Sequence, residues 1–419
     1  MIGRILELVP EERKERLLSG IFWKLLENIK FGSLTVSYQG ETQLFGQAAR
    51  DTDLHAKLSI HTPKALLRTI TGGSIGAGEA YMEGEWSSPD LSKVMQIFFR
   101  NSSVMDGMER GLARFSTPVF RLLHWLNKNS LNQARRNISA HYDLGNDFFK
   151  TFLDPTMMYS SAIFENDAMS LEEASLNKLD RICRKLRLTE KDHLIEIGTG
   201  WGSMAIYAAK HCGCRVTTTT ISRKQYEYTK QRITEEGLEE RITLLMEDYR
   251  NLTGTYDKLV SIEMIEAVGH HFLDTYFKKC SSLLKPDGLM LIQAITVKDQ
   301  RYEYARGNSD FIKKYIFPGG FLPSIAVIAE TAKEFTDLQM IHMEQFGRSY
   351  AKTLNTWKRN FFNNLDKVDQ MGYPIEFRRM WDYYLSSCEG GFLEHLINCA
   401  QLLFEKPENR QAVLLGKMA

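Results

Sequence analysis

The stretch "DHLIEIGTGWG", residues 192–202, runs an apolar strand pattern straight into three glycines spaced two apart. A short apolar run closed by glycines reads as a buried strand ending in a tight turn. Gly198, Gly200 and Gly202 would let backbone come close to a ligand, and residues 201–211 have a helical pattern. A strand, a glycine turn and a helix in that order belong to doubly wound sheets, which bind ligands at the carboxyl ends of their strands. The spacing is G-x-G-x-G, not the G-x-G-x-x-G of dinucleotide sites.

Working outward, "CRVTTTTI" (214–221), "RITLLME" (241–247), "YDKLVSIE" (256–263) and "GLMLIQAITV" (288–297) read as further buried strands. Helical patterns at 201–211, 222–236 and 270–284 separate them, with Lys285-Pro286-Asp287-Gly288 as a helix stop and turn. "FTDLQMIHM" (335–343) and "LINCAQLLFE" (396–405) add two late strands, and 349–366 and 374–389 two late helices. The expected fold is α/β: a doubly wound, mostly parallel, seven-stranded Rossmann-like sheet with a smaller N-terminal α+β domain and a helical cap. The division expected is an N-terminal domain over 1–126, a basic linker over 127–140 and a main domain over 141–419. In the first of these, 11–30 reads as an amphipathic helix, "TGGSIGAGEAYMEGEW" (71–86) as turns and a loop, and 91–127 as apolar helices.

Composition excludes several classes. Lys and Arg number 53 against 52 Asp and Glu, so no overall field favours nucleic acid. No run approaches a membrane span, and the N-terminus lacks a signal-peptide pattern, so a cytoplasmic protein is expected. Six cysteines at 183, 212, 214, 280, 388 and 399 fit reduced thiols, and Cys212-Gly213-Cys214 fits no zinc pattern. In "MIEAVGHHF" (264–272), His270 and His271 are expected to diverge by about 100° on a helix and to bind no metal with Glu266.

The ligand end of the sheet carries further polar groups. Glu196, at the end of the first strand, could orient a bound amino group. Thr219, Thr220, Ser222 and Gln225 follow the second strand, where a nicotinamide site would want an acid for the ribose. Asp248 and Tyr249 follow the third strand, with Asp248 placed to accept from an adenine amino group. Together with Trp201 in the glycine turn, these parts resemble class I S-adenosylmethionine methyltransferases.

Longer strings narrow the resemblance. "GEAYMEGEW", "SAHYDLGNDFFKTFLDPTMMYSSAIF" (139–164), "ISRKQYEY" (221–228), "DTYFKKCSSLLKPDGLMLIQ" (274–293) and "FIKKYIFPGGFLPS" (311–324) are similar to the cyclopropane-fatty-acyl-phospholipid synthase family. The resemblance implies methyl transfer from S-adenosylmethionine to the cis double bond of a phospholipid acyl chain, through a carbocation that finally loses a proton. It implies a bicarbonate base held by a Cys, Glu, His and Tyr and one backbone amide. It also implies cofactor contacts at Tyr159 and Ser160.

Residue by residue, the family's Tyr-Ser-Cys reads Tyr159-Ser160-Ser161, the Glu of Glu-His-Val-Gly is Glu266 followed by Ala267, and the strand-end His is Gln293. Ile295 matches the backbone contact and Tyr350 the tyrosine. Ser161 and Gln293 can hydrogen-bond a carbonate but cannot shuttle a proton as imidazole does. Bicarbonate therefore stays open. A cyclopropane product is expected, and "QAI" keeps a methylene-branched product as the alternative. N- or O-methylation of a small or headgroup acceptor is a further alternative. The expected partners are an unsaturated phospholipid and the inner face of a membrane, met peripherally through 91–126 and the N-terminal domain. A homodimer is left open.

Overall fold

The computed structural model describes residues 11–46, 54–101 and 144–411. In chain order the first stretch holds α1 (Glu11–Leu26), β1 (Ser33–Tyr38), β2 (Glu41–Gly46), β3 (His55–Ile60), α2 (Pro63–Met82), β4 (Trp86–Ser87) and α3 (Leu91–Arg100). Next come α4 (Asn146–Lys150), α5 (Leu171–Leu186), β5 (His193–Ile197), α6 (Ser203–His211), β6 (Arg215–Thr220), α7 (Arg223–Glu235) and β7 (Ile242–Met246). They are followed by β8 (Tyr256–Ile262), α8 (Leu273–Ser282), β9 (Leu284–Val297), α9 (Tyr302–Gly307) and α10 (Phe311–Tyr315). The chain closes with α11 (Ile325–Phe335), β10 (Gln339–Gln345), α12 (Gly347–Asn363), α13 (Leu365–Gln370), α14 (Ile375–Leu393) and β11 (Ile397–Glu405).

The larger sheet has the order β10-β11-β9-β8-β5-β6-β7. β9, β8, β5, β6 and β7 are mutually parallel, and β11 runs antiparallel to both β9 and β10. This is the expected seven-stranded, mostly parallel sheet. Parallel strands need both faces covered, and Leu194, Ile195, Leu259, Val260, Leu291 and Ile292 are accordingly buried. The strand order reverses at β5, so the turns after β5 and β8 leave neighbouring strands at the switch point of the sheet.

Two compact units emerge among the described residues. One takes 11–46, 54–101, 308–316 and 366–396, and the other 144–307, 317–365 and 397–411. The division expected from sequence thus differs in two segments, since α10 and α14 belong to the first unit. The reason is packing within that unit. Ser92 Oγ donates to Glu389 Oε2 at 2.5 Å, Tyr81 OH to Asp382 Oδ2 at 2.5 Å, and Arg100 pairs with Glu394 at 2.8 Å. The expected linker at 127–140 lies outside the described residues, as does 102–126 of the expected docking helices. The described part, α3, spends Leu91, Val94, Met95 and Ile97 on the core of the first unit.

Three local expectations need correction. Residues 71–82 are helical, with α2 broken at Gly73 (φ 58°, ψ −140°). The later glycines serve close approach: a Cβ at Gly76 would fall on the Arg68 carbonyl, and one at Gly78 on the Phe311 ring. Lys285-Pro286-Asp287-Gly288 is no turn before a strand but part of β9, absorbed as a bulge where the pairing jumps from Tyr256–Leu284 to Lys258–Leu289. α11 runs to Phe335 and residues 336–338 form a bend, so β10 begins only at Gln339.

Candidate active site

The site is built from the two strands at the switch point. After β5, Gly198, Gly200 and Gly202 all have positive φ (94°, 52° and 88°), and the amides of Gly198 and Thr199 donate to Thr219 O on β6. A Cβ at Gly202 would lie 2.7 Å from Thr229 Cγ2, whereas nothing lies within 4 Å of one at Gly200. The turn is therefore packed on one side and open on the other. Trp201 is buried, donates from Nε1 to Asn146 Oδ1 at 2.9 Å and packs tilted on Phe149 with centroids 4.8 Å apart.

The expected cofactor groups lie around this turn, several already engaged. Glu196 is buried and accepts from Thr218 Oγ1 at 2.6 Å, and burial pushes its carboxyl up to about 8. Thr220 Oγ1 donates to Gln225 Oε1 at 2.9 Å, while Ser222 caps α7 through the Gln225 amide. Thr219 Oγ1 bonds the Glu247 carbonyl. Asp248 is gripped at both oxygens by Arg250 at 2.8 Å, and Arg250 also lies over the Tyr249 ring. The Thr199 hydroxyl is buried without a partner, a polar group pointing to a ligand at the turn. Open space at Gly200, an orphan hydroxyl and ring-lined walls fit S-adenosylmethionine.

The second strand supplies the reacting end. Beyond Ile262 the chain turns through Glu263, whose φ of 48° is left-handed in a residue with a Cβ. Such a conformation costs about 1 kcal/mol and persists where the surroundings hold it. Glu263 Oε1 accepts from Ser161 N at 2.9 Å, Gln293 Nε2 at 2.8 Å and Cys399 Sγ at 3.6 Å. Glu263 Oε2 accepts from Tyr350 OH at 2.7 Å. Ser161, Gln293 and Tyr350, which the resemblance assigns to bicarbonate, thus converge on a carboxylate of the chain itself.

Glu266 stands apart from that convergence. It sits in the short turn Ile265–Ala267, accepts from Ile295 N at Oε1 and keeps Oε2 enclosed without a partner. Burial, with the charge of Glu263 second, pushes its carboxyl up to about 8. Nor is Glu266 the cap of a helix.

The segment around Tyr159 is strapped in place. Ala162 N donates to Thr353 Oγ1 at 3.1 Å, and Asn177 Nδ2 to Ile163 O at 2.9 Å. Tyr159 packs on Phe149 and Trp357, with centroids at 5.1 and 5.3 Å, and Trp357 meets Tyr350 edge-on at 6.2 Å. Ser160 Oγ accepts from Lys178 Nζ at 2.7 Å. Lys178 is fully buried, and burial holds its ammonium well below the usual lysine range, at about 8, against the charge of Glu263, which pulls it up.

Sequence reasoning missed Glu263, Cys399 and Lys178. Only Glu263 carried a local signal, as a second acid three residues before Glu266 at the strand's end. His270 and His271 do not diverge as expected. Their rings lie tilted against each other with centroids 3.8 Å apart, and residues 270–272 form a 3-10 turn. Among the described residues no group of three His, Cys, Asp or Glu could hold a metal ion. His141, Tyr142 and Asp143, in the quoted 139–164 string, lie outside the described residues.

The raised carboxyls fix the sign of one pH effect. Between the usual carboxylate range and about 8, folded Glu196 and Glu266 bind protons that the unfolded chain releases. Their contribution to stability therefore falls as pH rises through that window. In calorimetry, Glu266→Gln is expected to flatten the decline in melting temperature between about pH 5 and about pH 8. A decline as steep as that of the unaltered protein would show that Glu266 ionises freely.

Fold, switch-point turn and polar groups together define a class I S-adenosylmethionine-dependent methyltransferase. Residues 129–402 match the family model described as mycolic acid cyclopropane synthetase. Tuberculostearic acid methyltransferase of Mycobacterium tuberculosis is 40% identical over 346 residues, 80% of this chain and 80% of that protein. Cyclopropane-fatty-acyl-phospholipid synthase of Escherichia coli K12 is 35% identical over 353 residues, 84% of this chain and 88% of its own. A solved mycolic acid cyclopropane synthase, complexed with SAH and CTAB, superposes with a TM-score of 0.61 at 31% identity, over 65% of this chain and 98% of that one. The chain belongs to the mycolic acid cyclopropane synthetase family, whose members transfer a methyl group from S-adenosylmethionine to lipid acyl chains.

Proposed function

We propose that this enzyme methylates the cis double bond of an unsaturated phospholipid acyl chain and leaves a methylene branch, with Glu263 as the base. The carrying observation is the Glu263 carboxylate, held by Ser161 N, Gln293, Cys399 and Tyr350. A base built into the chain replaces bicarbonate in this reading. S-adenosylmethionine would lie along the turn Gly198–Gly202, with Tyr159, Ser160, Trp201, Thr220, Ser222, Gln225, Asp248 and Tyr249 around it.

When bound, S-adenosylmethionine supplies an electrophilic methyl group. The alkene π electrons form the new C–C bond as the sulfur–methyl bond breaks with its electrons returning to sulfur, and a cation is left on the neighbouring carbon. The rings of Tyr159, Trp357 and Tyr350 stand close together, and each aromatic face stabilises a cation by about 1–2 kcal/mol. A hydride moves from the methylated carbon to its neighbour, so the cation becomes tertiary. Glu263 then takes a proton from the transferred methyl group, and the C–H electrons become the double bond of a methylene branch. Direct proton loss with closure onto the first cation would give a cyclopropane instead. Similarity to the tuberculostearic acid methyltransferase at 40% identity supports the branched outcome, and similarity to the E. coli synthase at 35% the ring. The phospholipid rests on the latter's name. Among the described residues no helix is long and apolar enough to cross a membrane, so the lipid would be met at its surface.

The test is lipid analysis of a host rich in monounsaturated phospholipid that expresses the protein. The expected result is a gain of one CH2 per modified chain, with vinylidene protons in the NMR spectrum. Ring protons in their place would overturn the methylene product, and no gain with substrate present would overturn the reading as a whole.

A further inference from the structure

An amide can present either of its ends to a carboxylate, and only one end attracts it. Gln293 meets Glu263 with Nε2 at 2.8 Å, and the same nitrogen faces the Ser161 carbonyl at 3.5 Å. What holds it that way round is a chain of three buried or nearly buried side chains. Gln293 on β9 lies directly opposite Gln401 on β11, and directly opposed residues share one face of the sheet. Both are fully buried. Gln401 Nε2 donates to Gln293 Oε1 at 3.0 Å, and Gln401 Oε1 accepts from Lys185 Nζ at 2.7 Å. Lys185 is anchored in turn by Glu344 at 2.6 Å, which Arg181 also grips.

The direction of the chain follows from its first member. An ammonium has three donors and no acceptor, so the end of Gln401 that faces Lys185 must be the carbonyl. Its NH2 then faces Gln293, which must offer its own carbonyl and so turns its NH2 toward Glu263. No other order leaves every buried group satisfied. Tyr350, Cys399, Glu266 and Lys178 complete the polar and charged groups around Glu263.

We propose that Gln401, oriented by Lys185, is a positioning residue of the methyl transfer, fixing the polarity of Gln293 so that an N–H and never a carbonyl meets Glu263. The proposal rests on the reading of Glu263 as the base. In Gln401→Glu the introduced carboxylate still accepts from Lys185, but it offers Gln293 an acceptor where a donor stood. The Gln293 amide then lies between two carboxylates and can turn its NH2 to only one of them, so Glu263 no longer holds it and its carbonyl can face the base.

The test is steady-state methyl transfer to unsaturated phospholipid vesicles, with S-adenosylmethionine binding measured calorimetrically. The expected result for Gln401→Glu is a fall in kcat of about ten- to a hundredfold, the worth of a hydrogen bond to a charged group, with cofactor affinity unchanged. Adding Gln293→His should recover most of the loss, because a protonated imidazole donates from both nitrogens. A merely structural role for Gln401 predicts the opposite, a second core substitution making matters worse. Should Gln401→Glu fail to fold, Gln401→Met carries the test, since it frees Gln293 to turn and should lower kcat with the same unchanged binding. An unaltered kcat in the folded variant, or no recovery with Gln293→His, overturns the proposal. Glu263→Gln separates the two failures. If it is inactive while Gln401→Glu is normal, only the positioning role falls, and if it is fully active, the base falls with it.

Discussion

Glu263→Gln is expected to lower methyl transfer by about a hundred- to ten-thousandfold, the usual worth of a positioned general base, while S-adenosylmethionine binding stays near its original strength. The substitution is close to isosteric. The amide oxygen can still accept from Ser161 N and Gln293 Nε2, and the Tyr350 hydroxyl can turn to accept from the new NH2. The fold should therefore survive, and only the lone pair that takes the last proton is removed. A single-turnover assay with methyl-labelled cofactor reads the loss directly, beside calorimetric binding of the cofactor. Turnover within about threefold of the original would leave Glu263 no role as a base. Loss of cofactor binding would make it part of the donor pocket instead.

Gly200→Val is expected to weaken S-adenosylmethionine binding by roughly a hundredfold or more, equivalent to about 3 kcal/mol. Gly200 has a φ of 52°, which a β-branched residue adopts only under strain. No protein atom lies within 4 Å of a Cβ there, so the added methyls point into the space left for a ligand. Gly202→Ala provides the contrast, because its Cβ would press on Thr229 at 2.7 Å and should cost stability before affinity. Measured together by calorimetry and thermal unfolding, the two variants should lose different things. Equal losses of melting temperature with intact binding in both would reduce the glycine turn to a folding device.

The central strands were legible because parallel strands buried on both faces leave unbroken apolar runs, as in "HLIEI" and "YDKLVSI". Glycine and proline misled where they served another purpose. Gly76 and Gly78 make room for neighbours inside a helix, and Lys285-Pro286-Asp287 forms a bulge at the start of an interior strand, yet both strings read as turns. At the site, family strings pointed to Ser161, Gln293 and Tyr350, and these do meet. They could not point to Glu263, because its carboxylate is aimed by a backbone conformation that no side-chain pattern announces. Lys185, Gln293 and Gln401 come from a helix and two strands, each more than a hundred residues from the next in the chain, so only the register of β9 and β11 brings the amides together.

The return of residues 366–396 to the first unit bears on how the protein is made. A ribosome delivers α1 through α3 early, but Ser92, Tyr81 and Arg100 must wait for Glu389, Asp382 and Glu394 before their partners exist. The apolar side of α2 and α3 is thus synthesised long before the helix that covers it. Domains emerging from the ribosome generally fold in order of appearance. Here the N-terminal unit finishes after the sheet of the second has its five parallel strands, and a nascent chain stalled near residue 370 would still lack β11 and would carry an open hydrophobic face on α2 and α3, the species that a holdase chaperone would recognise.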